Sequence, residues 1–400
     1  MTLAGTLPLG GRIREASETV RGLRPHLADL GISRLACQTG LDRIGIPVWA
    51  AMRPNSLSLA VNQGKGTDDH AARASALMEA AEFAIAEAPD ADVVITAKAD
   101  LLAAGHRVFD PARLLAEGAA IPADEPIGWL AGRQLIGGET VFIPLEAARL
   151  DLTQEVYGGL SRSSNGLASG NNEDEAVLHA LCELVERDAL TLLTFRAGRS
   201  IGAARIDPAA FESPAIDDLT RRIREAGFKL DLFDLTTGLG IPVVQATIRE
   251  ARGPVRLQLD LAAGVGCHPF AAVAAIRAIT EAAQTRITNI AGARDDIDPA
   301  EYDEPLRPGL RFYLEEAGPA RAPVPASVRP EGAVSPRSLL DAVTEKLARA
   351  GITDLPLAVL GGARQGIAVV KLFAPQLEDR PANRNWRPGP RIASAMMRLW

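Results

Sequence analysis

Several features that define common protein classes are scarce in this 400-residue sequence. The chain has only three cysteines, Cys37, Cys182 and Cys267, and no two of them form a C-x-x-C pair. An odd number of cysteines without that spacing fits a reducing compartment and excludes a disulfide framework or a cysteine-rich zinc site. Aromatic residues make up only 4% of the chain, too few for the base-stacking surfaces of proteins that bind single-stranded nucleic acid.

Long apolar runs are also missing. No stretch approaches the roughly 18 consecutive apolar residues of a transmembrane helix, and the amino terminus lacks the apolar core of a signal peptide. Acidic residues outnumber basic ones by only 50 to 43, which gives a net charge of -7 and no reason to expect a nucleic-acid partner. We therefore expect a cytoplasmic protein that binds neither nucleic acid nor membrane.

The composition that is present, 47% hydrophobic and 23% charged, is typical of a globular protein with a large core. Strand-like segments such as DVVIT (92–96) and ETVFIPLEA (139–147) occur among helical ones, which predicts an α/β fold of mixed sheets with packed helices. The three strongest helical patterns are TDDHAARASALMEAAEFAIAEA (67–88), EDEAVLHALCELVERDAL (173–190) and AAVAAIRAITEAAQTR (271–286). The Ser-, Asn- and Gly-rich segment SRSSNGLASGNN (161–172) predicts a long polar loop before the second helix.

Each of these helices places polar side chains on one stripe among apolar neighbours. The stripes are Ser75, Glu79 and Glu82 on the first helix, Glu175, His179, Glu183 and Glu186 with Arg187 beside them on the second, and Arg277, Glu281 and Gln284 with Arg286 nearby on the third. A solvated helix face explains any single one of these acids. It explains the whole set poorly, because Glu79/Glu82 and Glu183/Glu186 are like-charged pairs at i, i+3 that destabilise a helix unless a cation offsets them.

Magnesium ions with a nucleotide would supply such a cation. Mg²⁺ prefers oxygen ligands and usually shares one or two carboxylates with nucleotide phosphates. Donors for phosphate oxygens are available at Arg12, Thr19, Ser75, Arg187 and Arg286. Since the sequence has no G-x-x-x-x-G-K-[ST] motif, it indicates phosphoryl transfer from ATP in a site that is not a P-loop and lies between three acidic helices.

Three blocks of the sequence resemble the YcaO family, ATP-dependent enzymes that activate backbone amides of peptides. They are NQGKGTDDHAARASALMEAAE, SNGLASGNNEDEAVLHALCELVERDA and GCHPFAAVAAIRAITEAAQTR. The resemblance implies the YcaO fold, ATP and Mg²⁺ as cofactors, and a single domain over residues 1–400. Within that domain, 1–64 would add phosphate contacts, 65–310 would form the nucleotide and magnesium core, and 311–400 would be the carboxy-terminal segment and tail.

The resemblance also implies roles for individual residues. Mg²⁺ ligands would be Glu79, Glu82, Glu183 and Glu186, and nucleotide contacts would be Arg12, Thr19, Ser75, Asn171, Glu175, Arg187, Glu281, Gln284 and Arg286. No catalytic residue is assigned. One departure concerns Phe83, which stands where an arginine commonly follows the second glutamate of the first motif.

The activity implied by the resemblance leaves two products open. A nucleophile adds to a backbone carbonyl, ATP phosphorylates the resulting oxygen, and phosphate leaves. External sulfide would give a thioamide, whereas a neighbouring Cys, Ser or Thr side chain would give a thiazoline or oxazoline ring. Ring-forming members often end in Pro-x-Pro-x-Pro, whereas this chain ends in RPGPRIASAMMRLW, so the tail favours the thioamide of a ribosomally made peptide or protein.

Partners follow from the same resemblance. Because the resemblance accounts for almost all of the chain, with no added peptide-recognition module, we expect a peptide or protein substrate and a separate partner protein, either TfuA-like or peptide-recognising. A homodimer is the expectation for the family. The competing hypothesis of another class is a non-catalytic scaffold subunit that binds peptide, which the intact acids of the motifs argue against.

Cysteine and histidine provide no strong alternative site. Cys267 and His268 are adjacent, but sequence neighbours seldom have the geometry of a nucleophile and its base, so we expect packing before the third helix. Cys182 is expected to be a buried structural thiol. Lys65, in a glycine-flanked loop, is a weak candidate for a phosphate contact.

Overall fold

The computed structural model describes residues 11–195, 204–252, 260–292 and 319–397. Those within Met1–Pro54, Leu59–Ala80 and Leu193–Val343 form one compact unit, unit 1, and those within Asn55–Ser58, Ala81–Leu192 and Thr344–Trp400 form a second, unit 2. Both units combine sheets with helices, which confirms the predicted mixed α/β class. No helix in the described ranges is long and apolar enough to cross a membrane.

The described α-helices are α1 (Ala16–Leu23), α2 (Asp69–Glu87), α3 (Lys98–Ala103), α4 (Leu145–Ala148), α5 (Glu173–Leu193), α6 (Pro214–Glu225), α7 (Ala271–Ala291), α8 (Pro336–Arg349) and α9 (Pro390–Met397). The three acid-bearing segments are thus α2, α5 and α7, as predicted. Asp68 Oδ1 accepts a hydrogen bond of 2.9 Å from the backbone N–H of Ala71, as expected of a side chain that caps a helix amino terminus.

Unit 1 contains two antiparallel sheets. The first has the order β1 (Arg34–Cys37), β2 (Val48–Met52), β3 (Val61–Lys65), and the second has the order β12 (Leu261–Cys267), β11 (Val243–Glu250), β10 (Phe228–Asp234), β9 (Arg205–Ile206). Helices α6 and α7 share a buried core with the second sheet, which includes Ile216, Phe228, Leu232 and Ile279. This core fixes the face that α7 turns away from the sheet.

Unit 2 is built on one seven-stranded sheet. Its order is β5 (Arg107–Val108), β7 (Thr140–Pro144), β6 (Ile127–Gln134), β13 (Pro356–Gly361), β14 (Ala368–Leu372), β8 (Leu167–Gly170), with β4 (Val93–Thr96) paired to β6. Only the β5–β7 pair is parallel among the described strand pairs. Trp129 is fully buried in β6, and its indole N–H donates to the carbonyl of Thr96 at 2.9 Å.

The predicted polar loop before α5 is wrong over Leu167–Gly170, which form strand β8. All four residues are buried, and they pair antiparallel with β14 in the register Ser169↔Val369. The small side chains serve a close approach, because a Cβ added at Gly170 would lie 2.4 Å from the backbone N of Ala176 in α5. The composition that indicated a loop is therefore what lets a helix pack directly on a strand.

The same arrangement occurs at the first acidic helix. A Cβ added at Gly64 of β3 would lie 2.0 Å from the backbone N of Ala76 in α2. In both cases the strand before the helix is in backbone contact with it, so the helix cannot rotate or slide without a clash. The stripes of acids on α2 and α5 are held in place by this packing.

Candidate functional site

The amino terminus of α5 is organised by three polar side chains in unit 2. The backbone N–H and the side-chain amide of Asn171 both donate to Glu175 Oε2, each at 2.9 Å. Asn172 Oδ1 accepts from the backbone N–H of Glu175 at 2.9 Å. Asn171 and Glu175 are buried, so two of the predicted nucleotide contacts form a fixed pair at the positive end of the helix dipole.

Buried acids of unit 2 come from two different helices. Glu82 of α2 and Glu186 of α5 are 8% and 6% exposed. Glu82 Oε2 accepts from the hydroxyl of Ser169 in β8 at 2.9 Å. Glu183, one turn before Arg187 on α5, forms an ion pair with it at 3.3 Å. Buried carboxylates are costly without compensating partners, and Ser169 and Arg187 each provide one here.

Lys371 of β14 provides a positive charge within unit 2. Its side chain is buried, and its ammonium donates to the carbonyls of Ser163 at 2.7 Å and Asn165 at 2.8 Å. Burial lowers the pKa of Lys371 to about 8, while the negative charges of Glu183 and Glu82 act to raise it. Carboxylates from both α2 and α5 thus lie within electrostatic range of one ammonium group.

Sequence reasoning did not identify Lys371 or Ser169. The sequence signal for Lys371 was a single charged residue inside the apolar segment GIAVVKLFA (366–374). Such a segment indicates a buried strand, so its lysine is expected to be buried with partners and not exposed to solvent. Ser169 was assigned to the polar loop, where serine is common, and its role depends on the pairing of β8 with β14. Both residues act on acids that are distant in sequence.

The predicted residues of α7 lie in unit 1 with β3. Lys65 forms a 2.6 Å ion pair with Glu281, which gives this weak sequence candidate a place beside a predicted nucleotide contact. The side-chain amide N–H of Gln284 donates to the carbonyl of Gln63 at 3.3 Å. Gln284 Oε1 is buried, and no donor among the described residues reaches it. That acceptor is suited to a hydrogen bond from a bound molecule.

Arg286 is held in unit 1 by two contacts. Its guanidinium forms an ion pair with Asp42 at 3.3 Å and lies over the ring of Phe228, 4.5 Å from its centroid. Asp42 Oδ1 also accepts from the backbone N–H of Ile44 at 2.9 Å. Because these contacts already restrict its side chain, Arg286 would lose little side-chain entropy on binding a phosphate.

The remaining predicted residues are placed as follows. Thr19 is buried on α1, and its hydroxyl donates to the carbonyl of Glu15 at 3.4 Å. Arg12 is exposed just before α1, and Ser75 and Glu79 are half-buried on α2 within unit 1. Glu79 lies three residues before Glu82 on a continuous helix, so the two carboxylates share one helix face. The nucleotide and metal roles of all these residues remain predictions.

Two of the three cysteines and His268 have the environments expected of structural residues. Cys182 and Cys267 are buried thiols outside any disulfide, whereas Cys37 is exposed. His268 is buried, and its Nδ1 accepts from the backbone N–H of Phe270 at 3.0 Å, immediately before α7. This contact orients the start of the helix, in agreement with the expected packing before the third helical segment.

The donor chemistry fits ATP and Mg²⁺. Within the described ranges, no group of three or more His, Cys, Asp and Glu side chains is already gathered around a metal position. Mg²⁺ usually binds through one or two carboxylates together with phosphate oxygens and water. In unit 2, Glu82 and Glu186 are buried carboxylates, a ligand type that Mg²⁺ prefers. In unit 1, Gln284 carries a buried acceptor.

In the described structure, acid-bearing helices pack on glycine-containing strands. The sequence contains no P-loop motif. The family model described as YcaO cyclodehydratase, ATP- and Mg²⁺-binding, matches residues 63–378. The chain belongs to the YcaO family. This match confirms the predicted family and, at the level of the family, its cofactors ATP and Mg²⁺.

One relative and two solved structures extend the comparison. A Rhizobium leguminosarum bv. trifolii protein from the tfuA 3′ region is 38% identical over 384 residues, which cover 94% of this chain and 90% of the relative. YcaO from Methanopyrus kandleri, bound with AMPPCP and Mg²⁺, has a TM-score of 0.70 at 21% identity, covering 95% of this chain and 97% of that one. A heterocyclase in complex with substrate and cofactor has a TM-score of 0.67 at 20% identity, covering 95% of this chain and 54% of that one. The two structures share the fold with this chain.

Proposed function

We propose that this protein uses ATP and Mg²⁺ to activate a backbone amide of a ribosomally made peptide or protein and converts it to a thioamide with external sulfide. The observation that carries the proposal is the burial of carboxylates from two helices, Glu82 of α2 and Glu186 of α5, at 8% and 6% exposure. Buried acids from separate helices in one unit form a region suited to divalent metal and phosphate. Family membership supports the use of ATP.

The proposed reaction proceeds in three steps: addition, phosphoryl transfer and elimination. Hydrosulfide adds to the carbonyl carbon of the amide, and the oxygen that becomes negative attacks the γ-phosphorus of ATP while ADP leaves. The carbon–oxygen bond then breaks, phosphate departs with the former carbonyl oxygen and takes up the proton that the sulfur loses, and the carbon–sulfur double bond forms. Bound Mg²⁺ would neutralise the charge on the phosphates during transfer.

The chain's own residues would position these groups. Glu79, Glu82, Glu183 and Glu186 would hold the metal. Arg187 and Arg286 would donate to phosphate oxygens, and their ion pairs with Glu183 and Asp42 fix where they point. The remaining proposed nucleotide contacts are Arg12, Thr19, Ser75, Asn171, Glu175, Glu281 and Gln284. Catalysis would then depend mainly on orientation and charge compensation.

The product is tested by mass spectrometry. The protein is incubated with ATP, Mg²⁺, sulfide and a candidate peptide encoded beside its gene, with and without a TfuA-like partner. We expect exchange of one oxygen for sulfur, with consumption of ATP that depends on the peptide. Support for a TfuA-like partner comes from the 38% identical relative from the tfuA 3′ region.

The second candidate product is an azoline ring. It is the alternative because one protein of the same fold is a heterocyclase that binds substrate and cofactor. Loss of one water from the peptide without incorporation of sulfur would establish cyclodehydration and overturn the thioamide proposal. Absence of ATP consumption with every peptide and partner tested would instead favour a scaffold subunit.

A further inference from the structure

We infer that a small cavity in unit 2 binds a branched aliphatic side chain of the peptide next to the amide that is activated. This inference rests on the proposed function and names a specificity site for it. The cavity has a volume of about 50 Å³ and is partly open. It lies between the chain segments 109–114, 161–165 and 371–379, with Leu184 of α5 as a further wall residue.

The cavity's size and walls select its occupant. A cavity needs about 10–15 Å³ of volume for each water molecule that it holds. A cavity of about 50 Å³ therefore fits about four non-hydrogen atoms, which is the number in a leucine side chain. Phe109 and Phe373 form an aromatic pair with centroids 4.5 Å apart, and Leu377 adds an aliphatic wall. An apolar wall at this size favours an aliphatic group over a charged one, whose desolvation would be uncompensated.

Two acidic residues in the walls, Glu378 and Asp379, already have partners within the protein. Glu378 is fully buried, and its carboxylate accepts from Arg113 at 3.2 Å and from the indole N–H of Trp386 at 3.1 Å. The side-chain amide of Asn383 donates to Asp379, while burial raises the pKa of that carboxyl. These two carboxylates therefore require no ionic ligand.

The cavity is also held open by the carboxy-terminal segment. Arg113 donates to the carbonyls of Pro375 and Arg387, at 3.0 and 3.1 Å. The amide of Asn385 donates to the carbonyl of Leu114 at 2.8 Å. Two walls that are distant in sequence are thus bridged, as expected of a preformed binding pocket.

The side chain of Asn165, which lines the cavity, offers a hydrogen-bond acceptor to a peptide backbone. Asn165 Oδ1 is buried, and no donor within the described part of the chain reaches it. It is suited to accept a backbone N–H, because a buried acceptor left without a hydrogen bond is destabilising. The carbonyl of Asn165 is already held by Lys371.

The position of the cavity relates it to the proposed chemistry. Lys371 lines it, and the carboxylates of Glu183 and Glu82 act on that same ammonium. Leu184, another wall residue, directly follows Glu183. A side chain seated here would bring its own backbone amide to the region of the proposed metal ligands of unit 2.

The inference is tested with the full-length protein by ligand-observed NMR with N-acetyl-leucinamide, N-acetyl-glycinamide and N-acetyl-lysinamide. We expect the leucine compound alone to bind. Ala374→Leu, which fills the cavity from a half-buried position, should weaken that binding about tenfold or more. Ala103→Leu, at an exposed position on α3, is the matched control and should bind like the wild type.

Binding of Mg²⁺ with a non-hydrolysable ATP analogue is measured in the same samples. Equal binding of the three amides, or unchanged leucine binding in Ala374→Leu, would overturn the cavity's role while the nucleotide result stands. Failure of the wild type to bind the nucleotide would overturn the proposed function, and with it this inference.

If Ala374→Leu does not fold, the wild type is labelled with the photoreactive diazirine analogue of N-acetyl-leucinamide. Cross-links within 109–114 and 371–379 would support the inference. Cross-links confined to other segments would overturn it.

Discussion

At the scale of single residues, the carboxylates of α2 fall into two kinds. Glu82 accepts from Ser169 and acts on Lys371, whereas Glu87, also buried on this helix, accepts from the hydroxyls of Ser56 and Ser58, both at 2.6 Å. The two glutamates lie five residues apart, on different sides of the helix. Burial and a serine partner are thus common to both, and only Glu82 belongs to the proposed metal region.

Glu82→Gln is predicted to lower Mg²⁺-dependent consumption of ATP by about 100-fold, because it removes a negative ligand without changing side-chain volume. Glu87→Gln is the matched control and should retain the Mg²⁺ dependence, whatever its effect on stability. Initial rates over a series of Mg²⁺ concentrations check both. Equal losses in the two variants would show that burial alone matters.

We predict that the positive charge of Lys371 partly compensates the negative charges of Glu82 and Glu183 when no Mg²⁺ is bound. Lys371→Met should lower the free energy of unfolding by about 1–3 kcal/mol for each carbonyl it leaves unsatisfied, at Ser163 and Asn165. It should also increase the rise in melting temperature on addition of Mg²⁺, since the negative charges of Glu82 and Glu183 then lose the ammonium that opposes them. Thermal unfolding at matched ionic strength measures this.

Lys229→Met, at an exposed position on β10, provides the control for that experiment. It should leave the Mg²⁺-induced shift unchanged. A shift in Lys371→Met no larger than that of the wild type would refute the role given to Lys371.

At the scale of elements, the contact between β8 and α5 fixes the start of the proposed nucleotide helix. Gly170→Ala would place a Cβ 2.4 Å from the backbone N of Ala176 and 2.7 Å from the carbonyl oxygen of Asn172. Since both are backbone atoms, the helix itself must move, at a cost of about 1–3 kcal/mol. We predict weaker nucleotide binding as well as lower stability, measured by calorimetry and denaturant titration.

Gly137→Ala, at a turn position with open space around it, separates crowding from the general cost of replacing glycine. Its φ of +87° makes that substitution strained too, but it should leave nucleotide affinity intact. Unchanged affinity in Gly170→Ala would contradict the role given to this contact.

Helix α9 is anchored on α5 by one bidentate ion pair. Arg391 donates to both oxygens of the fully buried Asp188, at 2.7 and 2.8 Å. Burial raises the pKa of Asp188, and the guanidinium opposes that rise. Arg391→Ala should therefore lower the free energy of unfolding by about 3 kcal/mol. Arg349→Ala, which breaks an exposed pair with Glu345, should cost less than about 1 kcal/mol.

Those two variants are compared by denaturant unfolding. Similar small losses would mean that α9 contributes little to the position of α5. A large loss in Arg391→Ala alone would show that the carboxy-terminal segment supports the helix that carries Glu183 and Glu186.

At the scale of the whole molecule, elements that depend on local patterns could be predicted from the sequence, whereas elements that depend on long-range pairing could not. Helices α2, α5 and α7 follow from i, i+3 and i+4 spacing, which depends only on neighbouring residues. Strand β8 does not, because its pairing partner β14 lies about two hundred residues further on and its small side chains are required by a helix that packs on it. Lys371 was missed for the same reason, since the acids it serves come from distant helices.

The central claim is that ATP phosphorylates the carbonyl oxygen of a peptide amide. It is tested most directly with a substrate peptide whose backbone carbonyl carries a heavy oxygen isotope, incubated with ATP, Mg²⁺, sulfide and the partner protein. We expect the heavy oxygen to appear in the released phosphate, in a one-to-one ratio with modified peptide. Release of phosphate without the label, or modified peptide without labelled phosphate, would contradict it.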